Sequence, residues 1–325
     1  MRFIKYLLLF FVLLVGFGAG IFTCLSYLVP KENSNECTKD YTFINDSLGC
    51  EPKLIIKKHQ YTELSYNIDQ YTKQQNANGD TTLTSVFFRD FLLGPTFGLR
   101  EKEEFAPASL LKVPLLVALL NKAEAEPAIL EEETSYTELS TTLKQTTEVP
   151  ELKPNTLYSV KELLDRMLIY SDNVSFWLLE SYLEKRFPNE FVVNDTMREL
   201  GLVSPRTSSE NTITVKGYSS LFRQLFNSSY LSPEMSEYAL SVMSKSRFDK
   251  GLVAGLPQDI DIAHKFGEIG LPNGEKQLHD CGIIYYPGNP YLLCIMTKGN
   301  DAKKLSEIIK TISSMVYKEV NSRRI

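Results

Sequence analysis

The stretch Ala108–Leu120, ASLLKVPLLVALL, decides the fold predicted for this chain. Its residues are apolar on nearly every face of a helix, and a helix of that kind is buried at the centre of a protein. Lys112 is its only charged residue, and an unpaired charge in such surroundings is costly. The sequence therefore predicts a central buried helix that starts near Ser109 and carries a lysine that needs a partner.

The segments on either side of this helix predict an α+β fold. Two strands are expected before it, Leu83–Leu93 and Thr96–Phe105, and three near the C-terminus, Ile262–Ile269, Gln277–Tyr286 and Tyr291–Thr297. The predicted helices are Tyr61–Gln75, two pieces within Leu157–Leu183, Thr196–Leu200, Val215–Phe226, Glu234–Lys245 and Ala302–Val320. This order indicates an antiparallel sheet built from both chain ends and packed against a helical middle.

Ser109 and Lys112 are three residues apart, so a helix places both side chains on one face. A serine hydroxyl becomes a good nucleophile when a neighbouring base removes its proton. A lysine can be that base when burial lowers its pKa. The alternative is a lysine that reaches from a helix start to solvent, with Ser109 as the helix cap.

Two later motifs supply further polar groups. Ser171-Asp172-Asn173 falls at the junction of two predicted helices, where Ser171 can relay a proton and Asn173 can contact a substrate amide and Lys112. The alternative is that this motif only caps the start of a helix, a position where Ser, Asp and Asn are all common. His264-Lys265-Phe266-Gly267 lies on a predicted strand, where Gly267 allows a substrate backbone to approach. The alternative for Lys265 is a solvated strand lysine.

The three motifs in this order resemble the class A β-lactamase and penicillin-binding-protein superfamily of serine hydrolases. The resemblance runs from about Tyr61 to the C-terminus. It extends to Phe105-Ala106-Pro107-Ala108-Ser109, Gly282-Ile283-Ile284-Tyr285 and Thr297-Lys298-Gly299. It implies a β-lactamase/transpeptidase-like fold. A metal or cofactor is not expected, because the sequence has no Cys-x-x-Cys motif and no His cluster.

The resemblance also implies a role for each motif residue. Ser109 would be the acylated nucleophile, Lys112 the general base and Ser171 the proton relay. Lys265 would bind a substrate carboxylate and assist the relay, and Asn173 would contact a substrate amide. The backbone N–H groups of Ser109 and Glu268 would form the oxyanion hole, and Phe266, Gly267 and Glu268 would line the substrate site.

The sequence departs from the family pattern at two places. The family carries Glu-x-x-Leu-Asn on a loop after the second motif, whose glutamate activates the deacylating water. That pattern is missing from Val203–Asn211, where Glu210 is the only acid. Phe266 replaces a hydroxyl residue that helps to hold the substrate carboxylate, so it either favours an apolar group or packs inside the protein.

The N-terminus predicts a membrane anchor. Tyr6–Leu28 is long enough to cross about 30 Å of hydrocarbon, and Arg2 and Lys5 before it place the N-terminus in the cytoplasm. The alternative is a cleaved signal peptide. The expected domains are the anchor at 1–29, a juxtamembrane stalk at 30–57 and an extracytoplasmic catalytic domain at 58–325.

Four of the five cysteines lie outside Tyr6–Leu28 and allow two disulfides. Disulfides form in oxidising compartments. Cys37 and Cys50 bracket a polar loop. Cys281 and Cys294 fall on adjacent predicted strands, where they either form a bridge or are two small core residues.

Three functions fit this sequence. The first is a membrane-anchored serine acyltransferase or hydrolase acting on β-lactams or the D-alanyl peptides of the cell wall. The second is a β-lactamase with an atypical deacylation route, and the third a non-enzymatic wall-binding module. A nucleic-acid partner is not expected, because the net charge is −5 in 325 residues.

Overall fold

The computed structural model describes residues 41–45, 48, 61–92, 94, 96–137, 148–202 and 212–323. The chain divides into two compact units, and every element below belongs to the unit that comprises Asp40–Asp46 and Lys53–Ile325. The predicted segment Tyr6–Leu28, the pair Cys37 and Cys50, and the whole loop Val203–Asn211 lie outside the described residues. Within the described residues no helix is long and apolar enough to span a membrane.

The longer elements follow the predicted order, with a strand pair, a helical middle, three strands and a final helix. The strands are β1 Leu83–Asp90, β2 Thr96–Leu99, β3 Glu104–Phe105, β4 Glu133–Thr134, β5 Tyr158–Ser159, β6 Ile213–Thr214, β7 Ile262–Gly270, β8 Lys276–Ile284 and β9 Tyr291–Gly299. The α-helices are α1 Thr62–Ala77, α2 Lys112–Ala125, α3 Val160–Ile169, α4 Asn173–Arg186, α5 Val192–Glu199, α6 Val215–Phe226, α7 Pro233–Met243 and α8 Ala302–Ser322. Short 3-10 helices span Ala108–Leu111, Pro127–Glu131 and Val253–Gly255.

The main sheet is antiparallel and has the order β2-β1-β9-β8-β7. It joins both ends of the domain, because β1 pairs with β9 from Leu83↔Lys298 to Asp90↔Tyr291. Helices α1 and α8 cover one face of this sheet, with α8 burying Leu305, Ile308 and Ile312. The prediction of an α+β fold with a sheet from both chain ends is confirmed.

Helix α2 is the central buried helix that the sequence predicts. Its residues from Lys112 to Leu120 are all buried. Pro114 is tolerated because it lies in the first turn, where the missing N–H has no partner within the helix. The prediction of one continuous helix from Ala108 is wrong in one detail, because a 3-10 turn carrying Ser109 precedes α2.

Several helix starts have side-chain caps that satisfy backbone N–H groups otherwise left without partners. Ser159 accepts a hydrogen bond from the N–H of Glu162 at the start of α3, and Asp172 accepts one from Val174 at the start of α4. Asp301 does the same for Lys303 at the start of α8. The junction between α3 and α4 therefore falls at Ser171, as the sequence predicts.

The prediction of a single strand over Thr96–Phe105 is wrong. The chain turns at Arg100, whose φ of 49° lies in the left-handed region, and this ends β2 at Leu99. The remaining residues form β3, which pairs with β6 in a separate two-stranded sheet. Strand β3 ends at Phe105, a few residues before Ser109.

Cys281 and Cys294 face each other across β8 and β9 and form a disulfide bond. The sequence left open whether these cysteines form a bridge or are two small core residues. The structure supports the bridge. Linking residues 13 apart restricts the unfolded chain and stabilises the fold by about 3 kcal/mol.

The segment Tyr41–Asn45 lies against the helical part of the domain. The carboxylate of Glu237 on α7 accepts hydrogen bonds from the backbone N–H groups of Thr42, Phe43 and Ile44, at 2.8 to 3.0 Å. Tyr285 donates a hydrogen bond to the carbonyl of Phe43. These five residues fall within the stretch predicted as a stalk.

Candidate active site

The candidate site forms where the 3-10 turn before α2, the junction of α3 and α4, and strand β7 meet. The first element carries Ser109, the second Ser171 and Asn173, and the third Lys265. The amine of Lys112 is in hydrogen-bond contact with Ser109, Ser171 and Asn173. Lys265 joins this group through its hydrogen bond to Ser171. The three predicted motifs therefore come together in space.

The amine of Lys112 lies at the centre of the site. Its Nζ is 3.1 Å from the hydroxyl oxygen of Ser109 and 3.1 Å from that of Ser171. It donates to two carbonyl oxygens, the backbone oxygen of Ser171 at 2.6 Å and the side-chain oxygen of Asn173 at 2.5 Å. The side chain is 2% exposed, so the alternative of a lysine reaching to solvent is wrong.

These contacts suit a neutral lysine. Burial lowers the pKa of Lys112 to about 7, against an upward effect of the Asp172 charge. A neutral amine has two hydrogens and one lone pair. The two carbonyl oxygens accept the hydrogens, because they have none to give. The lone pair is then left for a hydroxyl group, so Lys112 is arranged to take the proton of a neighbouring serine.

Lys265 is a second buried amine on the other side of Ser171. Its Nζ donates to the hydroxyl oxygen of Ser171 at 2.9 Å and to the carbonyl of Phe266 at 2.7 Å. Burial lowers the pKa of Lys265 well below its usual range, and Lys112 lowers it further whenever that amine is protonated. The side chain is fully buried, so the alternative of a solvated strand lysine is wrong.

Two residues beside these groups have left-handed backbone conformations without being glycine. Ala108, directly before Ser109, has a φ of 48°, and Ser171 has a φ of 55°. Such conformations cost about 1–3 kcal/mol and persist where surrounding structure enforces them. Here the enforcing contacts include the cap at Asp172, which also accepts a hydrogen bond from Ser175 and lies 3.4 Å from Arg166.

Strand β8 and helix α6 hold the 3-10 turn in place through residues that the sequence did not reveal. His279 donates from Nε2 to the carbonyl of Ala106 at 3.0 Å, and Gln277 accepts from the N–H of Ala106 at 3.0 Å. Burial lowers the pKa of His279 to about 4, which keeps this imidazole neutral. The hydroxyl of Tyr218 donates to the carbonyl of Leu110. Gln277 and His279 are two residues apart, so both lie on the same face of β8. This spacing is the signal in the sequence that points to a shared role.

The structure assigns Phe266 and Gly267 to packing. Phe266 is 2% exposed and stacks on Phe248, with ring centroids 3.9 Å apart. A Cβ added at Gly267 would lie 3.1 Å from the carbonyl oxygen of Pro107 and 3.2 Å from the nitrogen of Leu110. The close approach that requires this glycine is therefore made by the turn that carries Ser109, and the approach of a substrate backbone along this part of β7 stays a prediction.

Comparison with known proteins identifies the family. The model of the β-lactamase enzyme family, Beta-lactamase2, matches residues 65–320. The chain belongs to the β-lactamase enzyme family. The predicted resemblance to class A β-lactamases and penicillin-binding proteins is confirmed, and membership of this family indicates serine hydrolase activity.

Solved structures show the same β-lactamase fold. PBP-A is 24% identical with a TM-score of 0.68, over 81% of this chain and 98% of that chain. A β-lactamase from Xanthomonas campestris pv. campestris is 23% identical with a TM-score of 0.67, over 79% and 98% of the two chains. A class A β-lactamase from Mycobacterium abscessus is 21% identical with a TM-score of 0.63, over 78% and 99%. No curated protein matches the chain in sequence.

The described part of this β-lactamase-family chain contains no group of three or more His, Cys, Asp or Glu residues arranged to hold a metal ion. The polar groups collected around Ser109 are hydroxyls, amines and an amide. These groups can take the proton from a serine hydroxyl and return it later. Once its proton is removed, the serine oxygen can attack a carbonyl carbon.

Proposed function

We propose that this chain is a serine hydrolase or acyltransferase that forms an acyl-enzyme on Ser109 with β-lactams or with D-alanyl peptides of the cell wall. The observation that carries the proposal is the buried amine of Lys112, 3.1 Å from the Ser109 hydroxyl and with a pKa of about 7. A general base is most effective when its pKa lies near the working pH. A buried amine with only a structural role would be costly to retain, which makes a non-enzymatic module the less favoured function.

The proposed reaction begins with Ser109. Lys112 takes the hydroxyl proton as the serine oxygen attacks the substrate carbonyl carbon. The backbone N–H groups of Ser109 and Glu268 stabilise the negative charge that develops on the carbonyl oxygen. The C–N bond then breaks, and the leaving nitrogen takes a proton from Ser171. Lys112 returns its proton to Ser171, with which it is in hydrogen-bond contact.

Asn173 and Lys265 complete the proposed site. The Asn173 side-chain oxygen fixes the position of Lys112, and its amide is proposed to contact a substrate amide. Lys265 donates to Ser171 and stabilises the hydroxyl oxygen as it loses its proton. The same amine is proposed to attract negative charge on the substrate.

A mutant of PBP-A, 24% identical to this chain with a TM-score of 0.69, has been solved as an acyl-enzyme complex with penicillin G. This supports penicillin as the first compound to test. Full-length protein incubated with benzylpenicillin is expected to gain the mass of one intact penicillin, located on Ser109 by peptide mapping. Ser109→Ala removes the acceptor and is expected to gain no mass. Absence of an adduct on the wild-type protein would count against the proposal.

The lifetime of this adduct separates hydrolysis from stable acylation. A long-lived adduct is the expected result, because Val203–Asn211 lacks the family's deacylating glutamate pattern. Rapid turnover of a chromogenic cephalosporin that Ser109→Ala abolishes would instead identify a β-lactamase with an atypical deacylation route.

We also propose that the protein is held in the cell membrane by Tyr6–Leu28, with its catalytic domain outside the cytoplasm. The length of this apolar segment and the positive residues before it support the proposal. The disulfide between Cys281 and Cys294 supports an oxidising compartment. Protease added to intact protoplasts is expected to digest the catalytic domain. Protection of that domain, with digestion only after lysis, would contradict this location.

Gly267→Ala tests whether the turn that carries Ser109 must lie close to β7. We expect acylation by penicillin to slow by about tenfold or more, because the added methyl group pushes on backbone atoms on both sides of Ser109. Gly270→Ala is the matched control on the same strand, since a Cβ there meets nothing within 4 Å. The rate of labelling by a fluorescent penicillin measures both, and equal rates would show that this contact does not position the serine.

A further inference from the structure

A cavity of about 220 Å³ is formed by helix α4, helix α5 and the 3-10 turn before α2. None of the five side chains assigned to the candidate active site lines this cavity, so it is a separate feature of the fold. Pockets for drug-sized ligands usually enclose about 300–1,000 Å³. This cavity is smaller and therefore fits a smaller molecule.

Most of the cavity wall is apolar. The apolar side chains come from all three elements and include Leu111, Phe176, Leu183, Val192 and Met197. Phe191 also lines the cavity, and 70% of its side chain is exposed. Covering apolar surface of this kind removes it from water, which favours binding. The wall is therefore suited to the apolar part of a ligand.

Two acids interrupt this apolar wall. Glu180 and Glu184 both line the cavity and lie on successive turns of α4. No described residue forms an ion pair or a hydrogen bond with either carboxylate. Burial raises the pKa of Glu180, and the charge of Glu184 raises it further. Like charges four residues apart also destabilise a helix. The two acids are therefore unfavourable for the fold as long as the cavity holds no cation.

The neighbouring basic side chains that form ion pairs do so with other acids. Lys122 on α2 pairs with Glu190, the third acid in the cavity wall. Arg186 at the end of α4 pairs with Glu126 and with Glu132. The charges of Glu180 and Glu184 are left for a ligand to balance.

We propose that this cavity binds a small organic amine, with its apolar part against the wall and its ammonium group beside Glu180 and Glu184. A hydrogen bond between an ammonium group and a carboxylate is stronger than one between neutral groups, so the two acids favour an amine over an alcohol. The apolar wall favours an amine with an aryl or alkyl body over an inorganic cation. This inference does not depend on acylation of Ser109.

Phenethylamine is a suitable probe, because it joins one aromatic ring to one ammonium group. Isothermal titration calorimetry with the full-length protein at neutral pH is expected to give a Kd of about 1 mM, the modest affinity of so small a ligand. Phenethyl alcohol and phenylacetate have similar apolar bodies without the positive charge. Each is expected to bind about tenfold more weakly or not at all.

Glu180→Gln tests the proposed contact. It is expected to weaken phenethylamine binding by about tenfold or more, the effect of losing a hydrogen bond between charged groups. The variant should melt at the wild-type temperature or above it, because it removes a partly buried charge and its repulsion by Glu184. Glu184→Gln changes an exposed residue and should weaken binding in the same direction.

Two substitutions are matched controls. Asp195→Asn removes an exposed acid from α5 that does not line the cavity. Asp249→Asn removes an acid from a different cavity, of about 780 Å³, which Glu268 also lines. Both variants should bind phenethylamine as the wild type does.

Three results would overturn the inference. The first is the absence of phenethylamine binding to the wild-type protein, and the second is equal binding of the amine and the alcohol. The third is full binding by Glu180→Gln and Glu184→Gln, or its loss in Asp249→Asn, since either would locate the amine elsewhere. The mass of the penicillin adduct on Ser109 is a separate measurement, so failure of the proposed function and failure of this inference are distinguishable.

Discussion

Lys112→Met is expected to slow acylation of Ser109 by penicillin about a thousandfold, within the range of contributions known for a general base. Methionine fills a similar volume without a proton acceptor, so the serine loses its base while the buried pocket stays filled. The wild-type rate should rise with pH through about 7, where the lysine becomes neutral, and then level off. Below that pH the amine is protonated and cannot take the serine proton. Stopped-flow measurement of acylation between pH 5.5 and 8.5 tests both statements.

Lys122→Met is the matched control for this experiment. Lys122 lies on the same helix, where its partly exposed amine pairs with Glu190. Partly exposed pairs of this kind contribute about 0–1 kcal/mol, so its loss should leave both the acylation rate and its pH profile unchanged. A Lys112→Met protein that folds and acylates at the wild-type rate would exclude Lys112 as the base.

Asp172→Ala is expected to destabilise the fold by about 3–5 kcal/mol, the usual cost of removing one partner from a buried ion pair. The carboxylate of Asp172 caps α4, accepts a hydrogen bond from Ser175 and lies 3.4 Å from Arg166. The substitution leaves the guanidinium group without this partner in a largely buried position. Urea unfolding followed by circular dichroism measures the change in the free energy of unfolding.

Asp301→Ala provides the matched control for this second substitution. Asp301 also caps a helix, α8, but it is exposed, and its removal is expected to cost about 1 kcal/mol, as is usual for a cap. The difference between the two variants isolates the effect of burial and of the Arg166 pair. Similar losses in both variants would show that Asp172 acts as a cap alone.

Local patterns predicted much of this fold. The apolar run after Ser109 predicted the buried helix α2, and the strand-like segments near the C-terminus predicted β7, β8 and β9. These predictions succeeded because elements buried on all sides leave runs of apolar residues in the sequence. Strand β3 left no such trace. It has two residues, and its partner β6 lies more than 100 positions later, so the sequence merged β3 with β2.

The site was predictable to a similar extent. The motif residues Ser109, Lys112, Ser171 and Lys265 come together as expected. The contacts that position them were not foreseen, because His279 and Tyr218 act on residues more than 100 positions away. The direction of Phe266 was also open, since a strand residue faces the cleft or the core according to a register that tertiary contacts set.

The pairing of β1 with β9 has a consequence for the time at which the enzyme becomes active during synthesis. The sheet that carries Lys265 closes only when Leu83 meets Lys298, more than 200 positions later. A polypeptide still on the ribosome therefore contains Ser109 long before it contains the strands that complete the site. Pairings between such distant residues also form slowly. In the proposed mechanism, a product interrupted before these strands would carry Ser109 without its reactivity.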